Sequence, residues 1–184
     1  MKTLKYISKL LLVLLALTNL TLAEDSAREI DSDANGALSV FYAEVNGAKN
    51  YLDKAKGYVV FPDVKEAGFF VGGKYGEGAL RVDSVTKGYY SITSASMGFQ
   101  MGAQTYSLII AFTSDSALKK FMSDDDWETD IDFNVAMADW NNDEELDDVD
   151  FGSNMVGFVF DSTGMMGNFS MEGTRFEKIT PDID

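Results

Sequence analysis

The sequence predicts an α+β fold: a single sheet-dominated domain of mainly antiparallel strands, with helices packed near the N-terminus. Helical periodicity is concentrated in residues 33–56. From residue 58 onward, short segments rich in Val, Phe, Tyr and Ile alternate with glycine and polar turns, as in antiparallel sheets. No repeat of fixed period and no Pro-rich or Ser-rich linker divides the chain, so one domain is the simplest architecture.

Residues 1–23 have the pattern of a cleaved secretory signal peptide. A basic start and a short apolar run lead to the small-residue cleavage site Thr21-Leu22-Ala23. The apolar run is too short to span a bilayer. We therefore expect residues 24–184 to form the mature domain, exported to the periplasm or its membrane surfaces. Because cysteine is absent, a lipidated N-terminus is not expected.

Two helices are predicted before the strands. Apolar residues between 33 and 45 share one helical face, with Asp33 placed to cap the helix. Asn46-Gly47 interrupts the pattern, and residues 48–56 form a second helical stretch that Gly57 would close.

The strand pattern occupies most of the remaining chain. The candidate strands are "YVVF", "AGFFVGG", "GALRV", "YYSIT", "SMGFQMG", "SLIIAFT" and "DIDFNVAMADW". A short surface helix, "SDSALKKFM", follows the sixth of them, with Ser114 as its cap. Near the C-terminus, two alternating apolar runs flank "DSTG", which predicts a hairpin followed by a final strand.

Composition excludes several classes of function. Histidine and cysteine are both absent, so Ser-His and Cys-His catalysis and histidine metal sites are ruled out. The net charge is −15, and removal of residues 1–23, with three basic and no acidic residues, leaves 12 basic against 30 acidic residues, or −18. Nucleic acid is therefore not an expected partner. Most of the excess negative charge lies after residue 87, where the chain has 4 basic and 19 acidic residues.

The segment "GFFVGGKYGEG" imitates a phosphate loop. Gly68, Gly73 and Lys74 have the correct spacing, but Tyr75 stands where Ser or Thr should be. The glycines that follow disfavour a helix start, which the phosphate site requires. The spacing is therefore interpreted as accidental, and the glycines as positions where strands bend or approach closely.

Acidic segments of the chain suggest alternative functions, based on cation binding or on carboxylate catalysis. "DSDANG" at 31–36 resembles the start of a calcium loop, but position twelve is Tyr42, so a helix start is favoured. Residues 124–132 and 139–150 are predicted to be acidic loops. The second loop offers a weak divalent-cation site, whose candidate ligands are Asp139, Asn141, Asp143 and Asp150. A solvated loop is the plainer interpretation. A hydrolase that uses a pair of carboxylates is the least favoured of the functional hypotheses, because no other active-site signature supports it.

One window of the chain is locally positive. Within 33 residues containing only four acids lie six basic residues, namely Lys49, Lys54, Lys56, Lys65, Lys74 and Arg81. Ordinary surface charge explains such a cluster, and contact with anionic head groups is the functional alternative.

The block "AKGYVVFPDVKEAGFFVGGKYGEGAL", followed by "GYYS", "SMGFQMGAQ" and "GFVFDSTGMMGNFSMEGTRFEKI", resembles the SYLF lipid-binding domain family, in particular its exported bacterial branch. The resemblance covers roughly residues 33–179. It implies a binding module without catalysis or cofactor, since eukaryotic members bind phosphoinositides and other anionic lipids, some associate with actin, and bacterial relatives are envelope proteins. An exported chain would not meet actin. The basic N-terminal helix of eukaryotic members has no counterpart here, because residues 24–45 contain Arg28 alone against six acids.

Two routes to lipid remain open. In the first, the six basic residues contact head groups. In the second, apolar side chains such as Met165 and Met166, or a cavity, take up acyl chains; for both methionines core packing is the plainer role. The leading hypothesis is a non-enzymatic phospholipid-binding protein of the bacterial envelope, and the alternative is an acidic, calcium-responsive structural or interaction protein of the periplasm. The sequence leaves the oligomeric state open.

Overall fold

A computed structural model describes residues 25–68, 71–97, 102–123, 126–128, 135–139, 153–164, 171 and 173–183. It contains three helices within this part of the chain: α1 (Ala27–Glu44), α2 (Ala48–Lys54) and α3 (Asp115–Ser123). Its strands are β1 (Gly57–Gly68), β2 (Val71–Val82), β3 (Val85–Met97), β4 (Gly102–Phe112), β5 (Asp126–Glu128), β6 (Val135–Asp139), β7 (Met155–Gly164) and β8 (Thr174–Ile179).

Helix α1 begins earlier than the sequence predicted. Its N-cap is Ser26, whose hydroxyl accepts from the Glu29 backbone N–H, while the Glu29 carboxylate accepts from the Ser26 N–H. The predicted cap at Asp33 is wrong, because this residue lies inside the helix and is exposed. The predicted apolar face is confirmed, and its buried members are Ala34, Ala37, Leu38, Phe41 and Val45.

Helix α2 is short and ends at Lys54. The predicted break before it is confirmed by Gly47, which adopts φ +85°, a conformation that glycine reaches without the steric penalty of a side chain. The predicted closure at Gly57 is wrong, because Gly57 is the first residue of β1 and its backbone already pairs with Phe112. The surface helix α3 and its cap are confirmed, since the Ser114 hydroxyl accepts from the Ala117 N–H at 3.2 Å.

The strands form one sheet in the order β5-β8-β3-β2-β1-β4-β7-β6. All neighbouring pairs are antiparallel except β6 and β7. The predicted α+β class with mainly antiparallel strands is therefore confirmed, as is the placement of most helical residues before the sheet.

Three strand predictions are corrected. "AGFFVGG" is not one strand, because Gly68 pairs with Gly72 and the segment spans the end of β1 and the start of β2. "SMGFQMG" likewise spans the end of β3 and the start of β4. The turn predicted at "DSTG" is wrong: these residues belong to β7, whose neighbours among the described strands are β4 and β6, whereas β8 pairs with β3 and β5.

The turn prediction at "DSTG" failed because β7 contains a bulge there. Asp161 has φ +52°, and the pairing of β7 with β4 shifts register between Ser107 and Thr105. Polar residues at a bulge have the same composition as a turn, but the strand continues through them.

The sheet is buried on both faces. On one face, α1 and α2 pack against Val60, Ile109 and Phe158, and we call this the helix-side core. On the other, α3 covers part of a second cluster that includes Phe61, Leu108 and Ile110, which we call the far core. Alternate residues of β1 and β4 point into opposite cores, so these strands read as nearly continuous apolar runs.

The sheet curves strongly toward the far core. The rings of Phe61 on β1 and Phe176 on β8 are 5.7 Å apart, although β2 and β3 lie between their strands. In a flat sheet, three strand spacings would separate their backbones by about 14 Å. A register shift in β1 between Phe61 and Val64 supplies part of the bend.

Candidate functional site

A cleft of about 490 Å³ lies at the end of the sheet where β1 finishes and β2 begins. Strands β1, β2, β4 and β7 contribute its walls. The lining residues are Lys65, Glu66, Ala67, Gly73, Lys74, Tyr75, Ala103, Gln104, Thr105, Thr163 and Gly164. The volume suits a small polar group, and the lining combines charged, hydroxyl and very small side chains.

Glu66 and Lys74 carry opposite charges on the far-core face of the sheet, the face of Val64 and Leu80, whereas strand alternation puts Lys65 on the helix-side face. Glu66 and Lys74 are direct partners across the β1–β2 pair, and Gln104 is the partner of Glu66 on β4. The Gln104 side-chain amide donates to Glu66 Oε2 at 3.0 Å, which fixes the carboxylate. Lys74 is 5 % exposed, and its burial lowers the pKa of its ammonium while attraction to Glu66 opposes that shift.

Tyr106 lies close to the same carboxylate. Its residue is buried, and burial raises the pKa of its hydroxyl, with the charge of Glu66 adding to the effect. The hydroxyl therefore stays protonated near neutral pH. Glu66 and Tyr106 thus lie close together on the far-core face of the sheet.

Lys65 is the accessible cation of the cleft. Its side chain is 73 % exposed, and its ammonium lies 2.9 Å from Asp63 Oδ2. Hydrogen bonding to Asp63 raises the pKa of Lys65. Exposed ion pairs of this kind stabilise a protein by about 0–1 kcal/mol, so Lys65 can change partners at small cost.

The other basic residues of the predicted window lie elsewhere. Lys49 forms an exposed ion pair with Asp53 at 2.7 Å and lines a second, polar groove beside the α1–α2 connection. Lys54 and Lys56 are exposed immediately before β1. Because nine residues of extended strand span about 30 Å, Lys56 and Lys65 mark opposite ends of β1. The six residues therefore do not form one patch.

Arg81 is buried against α1. Its guanidinium lies 3.1 Å from Asp31 Oδ1 and donates to Thr86 Oγ1 at 2.6 Å and to Asn35 Oδ1 at 3.1 Å. Asp31 also accepts from Thr86 and Tyr89. This network holds α1 on β2 and β3, which gives Arg81 a structural role in the fold.

A carboxylate anchors the chain that precedes α1. Glu77 is 7 % exposed and accepts from the Asp25 backbone N–H at 3.1 Å and from the Tyr75 hydroxyl. Tyr75 thereby connects the cleft lining to the start of α1.

Comparison of the sequence with known protein families finds one match. Residues 93–180 match the family model described as Ysc84, Las17-binding protein actin regulator. The match covers 88 of the 184 residues and supports a relationship to the SYLF family for this part of the chain. The match supports the SYLF resemblance seen in the sequence, whereas the assignment to an exported bacterial branch stays a prediction, and no curated protein matches the chain significantly. SYLF domains form a family of binding domains with lipid- and actin-associated roles.

The SYLF match covers the second half of the cleft. Gln104, Thr105 and Thr163 fall inside it, whereas the charged residues Lys65 and Lys74 lie before it. The family match therefore covers the β4 and β7 walls of the cleft but neither β1 nor β2, which carry its charged residues.

Several predicted site residues lie outside the described part of the chain. These are Met165, Met166, Asn141, Asp143 and Asp150, and of Asp139 only the backbone, in β6, is described. The predicted signal peptide and most of both acidic loops also lie outside it. Among the residues that the structure describes, no group of three or more carboxylates could hold a metal ion. No helix in the described ranges has the length and apolarity needed to cross a membrane.

Sequence reasoning missed Glu66, Tyr75 and Gln104 as members of the site. The signal that identifies Glu66 is the symmetry of the β1–β2 hairpin about residue 70, which places Glu66 opposite Lys74. Reading "AGFFVGG" as a single strand hid that symmetry. Gln104 carries no such local signal, because its pairing with Glu66 depends on contact between β1 and β4.

Proposed function

We propose that this protein is a non-enzymatic phospholipid-binding protein of the bacterial envelope. The observation that carries the proposal is the SYLF match over residues 93–180, since SYLF domains are binding domains with lipid-associated roles. The absence of histidine and cysteine from the sequence also argues against most covalent and acid–base chemistries. The secretory pattern of residues 1–23 supports export to the periplasm and makes a membrane surface there the natural partner.

The cleft supports lipid contact at one end of the sheet. Its lining includes an exposed cation, Lys65. A head group bound there would be recognised by a few charged and polar side chains, as is usual for small-ligand sites. Lys49, Lys54 and Lys56, near the other end of β1, define a separate candidate contact.

Vesicle flotation tests the function. Residues 24–184 should float with vesicles made from a mixed zwitterionic and anionic phospholipid extract at low salt, and phospholipid should be found by mass spectrometry in the purified protein. If neither occurs, the proposed function is wrong.

Charge reversal then separates the two candidate contacts. Replacing Lys65 with Glu should weaken flotation about tenfold, whereas the matched replacement Lys49→Glu, in an equally exposed ion pair, should leave it unchanged. The reverse result would place the contact beside α2.

The calcium-responsive alternative is motivated by the aspartate-rich segments 124–132 and 139–150. Titration calorimetry with calcium and a melting curve with and without chelator distinguish it. Binding heat together with a higher melting temperature in calcium would favour the alternative, and the absence of both would remove it.

A further inference from the structure

The start of α1 is held in place from two sides. The Asp25 backbone N–H donates to Glu77 Oε2 of β2 at 3.1 Å, and the Ala27 N–H donates to the Asp182 carbonyl oxygen at 2.7 Å. Between these two contacts, Ser26 caps the helix. The chain that leads into α1 therefore meets the sheet at a fixed point, beside the Glu77 carboxylate.

The negative charge of Glu77 is only partly compensated. The residue is 7 % exposed, and its carboxylate accepts from two neutral donors, the Asp25 N–H and the Tyr75 hydroxyl. None of the ion pairs in the part of the chain that the structure describes includes Glu77. Hydrogen bonds between ionised groups are stronger than those from neutral donors, so a buried carboxylate gains further stability from a positive partner.

The other charged groups on the α1 and β1 sides of Glu77 have roles of their own. Asp63 and Lys65 of β1 pair with each other at 2.9 Å, and the Glu29 carboxylate belongs to the capping box of α1. Asp25 adds negative charge, and its attraction contributes to the raised pKa of Lys65. Negative groups therefore outnumber positive ones around Glu77, which favours a further cation there.

Carboxylates also lie on the remaining sides of Glu77. Its partner on β3 is Ser91, and the partner of Ser91 on β8 is Glu177. The side chain of Asp182, in the segment that receives the start of α1, is exposed. The elements around Glu77 thus add negative charge on these sides as well.

Cleavage of the predicted signal peptide after Ala23 would create a cation at this point. The new N-terminus is the α-ammonium group of Glu24, which directly precedes Asp25. One residue of chain spans at most about 3.6 Å. Because the Asp25 nitrogen lies 3.1 Å from Glu77 Oε2, covalent geometry confines the α-ammonium to within about 7 Å of that oxygen.

We infer that the buried carboxylate of Glu77 binds the α-ammonium group that signal-peptide cleavage creates, and that this ion pair holds the start of α1 against β2. The inference rests on the predicted cleavage after Ala23 and is independent of phospholipid binding, so its failure would leave the proposed function intact. In an uncleaved chain, residue 24 has an uncharged peptide nitrogen. Removal of the signal peptide thus adds an interaction that the precursor lacks.

Two chain lengths test the inference. Residues 24–184, released from a fusion so that Glu24 is the first residue, should melt about 3 °C or more above residues 21–184 at about pH 6.5. In the longer chain, residues 21–23 carry the α-ammonium away from Glu77. Equal melting temperatures would overturn the inference.

The difference between the two chain lengths should also depend on pH. An unperturbed α-amino group has a pKa of about 7.7–8.0, and pairing with a carboxylate raises that pKa in the folded protein. The stabilisation is therefore complete below about pH 7.7 and is lost as pH rises through the folded-state pKa. A difference in melting temperature that persisted unchanged at about pH 10.5 would overturn the ion pair.

Two carboxylate variants identify the partner of the α-ammonium. Glu77→Gln keeps an acceptor for the Asp25 N–H but removes the negative charge, so the difference between the two chain lengths should disappear. Glu29→Gln, in the capping box that follows, should preserve the difference. A difference that survived Glu77→Gln, or that Glu29→Gln alone abolished, would overturn the assignment to Glu77.

The unsubstituted protein provides tests that need no variant. An NMR pH titration of residues 24–184 should give the Glu24 α-amino group a pKa above about 8.0, and a value at or below this would overturn the inference. The protein secreted with its own signal peptide should begin at Glu24 by N-terminal sequencing. Another first residue would overturn it as well.

Discussion

At Gly78, strand β2 lies too close to β1 for a side chain. A Cβ added there would be 2.3 Å from the Val60 carbonyl oxygen and 2.6 Å from the Phe61 ring. The first contact is with backbone and cannot be relieved by a rotamer change. This approach occurs where β1 shifts register, so the glycine permits the curvature that forms the far core.

Gly78→Ala should destabilise the protein by about 1–3 kcal/mol, because the strands must separate to admit the methyl group. Gly36→Ala is the matched control: its added Cβ meets nothing within 4 Å in the middle of α1, so it should stabilise by up to about 1 kcal/mol. Urea unfolding of both variants measures the difference. An unchanged midpoint for Gly78→Ala would contradict the close approach seen in the structure.

At the scale of elements, α1 is fixed at its start and along its length. The capping box of Ser26 and Glu29 satisfies its first backbone groups, and the Arg81 network ties its middle to the sheet. Its exposed face carries acidic residues and none of the six predicted basic residues. In this chain, α1 is therefore a covering element of the helix-side core.

Ser26→Ala should cost about 1 kcal/mol of stability, because the Glu29 N–H loses its acceptor. Asp33→Ala should be nearly neutral, since Asp33 is exposed within the helix and caps nothing. Thermal unfolding of both variants tests which residue begins the helix. A larger loss for Asp33→Ala would restore the sequence-based assignment.

The capping box should also respond to pH. Hydrogen bonds from the Ser26 backbone and hydroxyl lower the pKa of Glu29 below its ordinary value of 4.5. A lowered folded-state pKa means that this contribution is complete above pH 4.5 and is lost as pH falls through the folded-state pKa. Glu29→Gln should therefore lower stability slightly near pH 7 and change it little below the folded-state pKa, which flattens the acid limb of the stability profile, as urea titrations between pH 3 and 7 would show.

At the scale of the whole molecule, one sheet joins two cores. Phe41 of α1 packs on Phe158 and Phe160 on one face, with ring centroids 5.2 and 4.9 Å apart. Phe121 of α3 packs on Tyr90 and Phe112 on the other, at 4.6 and 4.9 Å. Strands β1 and β4 contribute side chains to both cores. Unfolding of either core would therefore expose these shared strands.

Phe41→Ala and Phe121→Ala should each destabilise by about 3–5 kcal/mol and shift one common unfolding transition without changing its denaturant slope. Val85→Ala, at a 54 % exposed position, is the control and should change stability by less than about 0.5 kcal/mol. Two separate transitions in either variant would contradict a single cooperative unit, and with it the expectation of one domain over residues 24–184.

The sequence by itself determined the class of fold, the apolar face of α1, the break at Gly47 and the resemblance to SYLF domains. These follow from periodicity, glycine chemistry and local motifs, which depend on neighbours along the chain. Tertiary structure alone decided which strands pair: β7 with β4, β8 with β3, and β1 with both β2 and β4. Those pairings place Glu66 between Lys74 and Gln104 and bury Arg81 beside Asp31. Six basic residues close in sequence are thus divided among different surfaces and the interior, because alternation and register, which a run of charges does not encode, set the direction of each side chain.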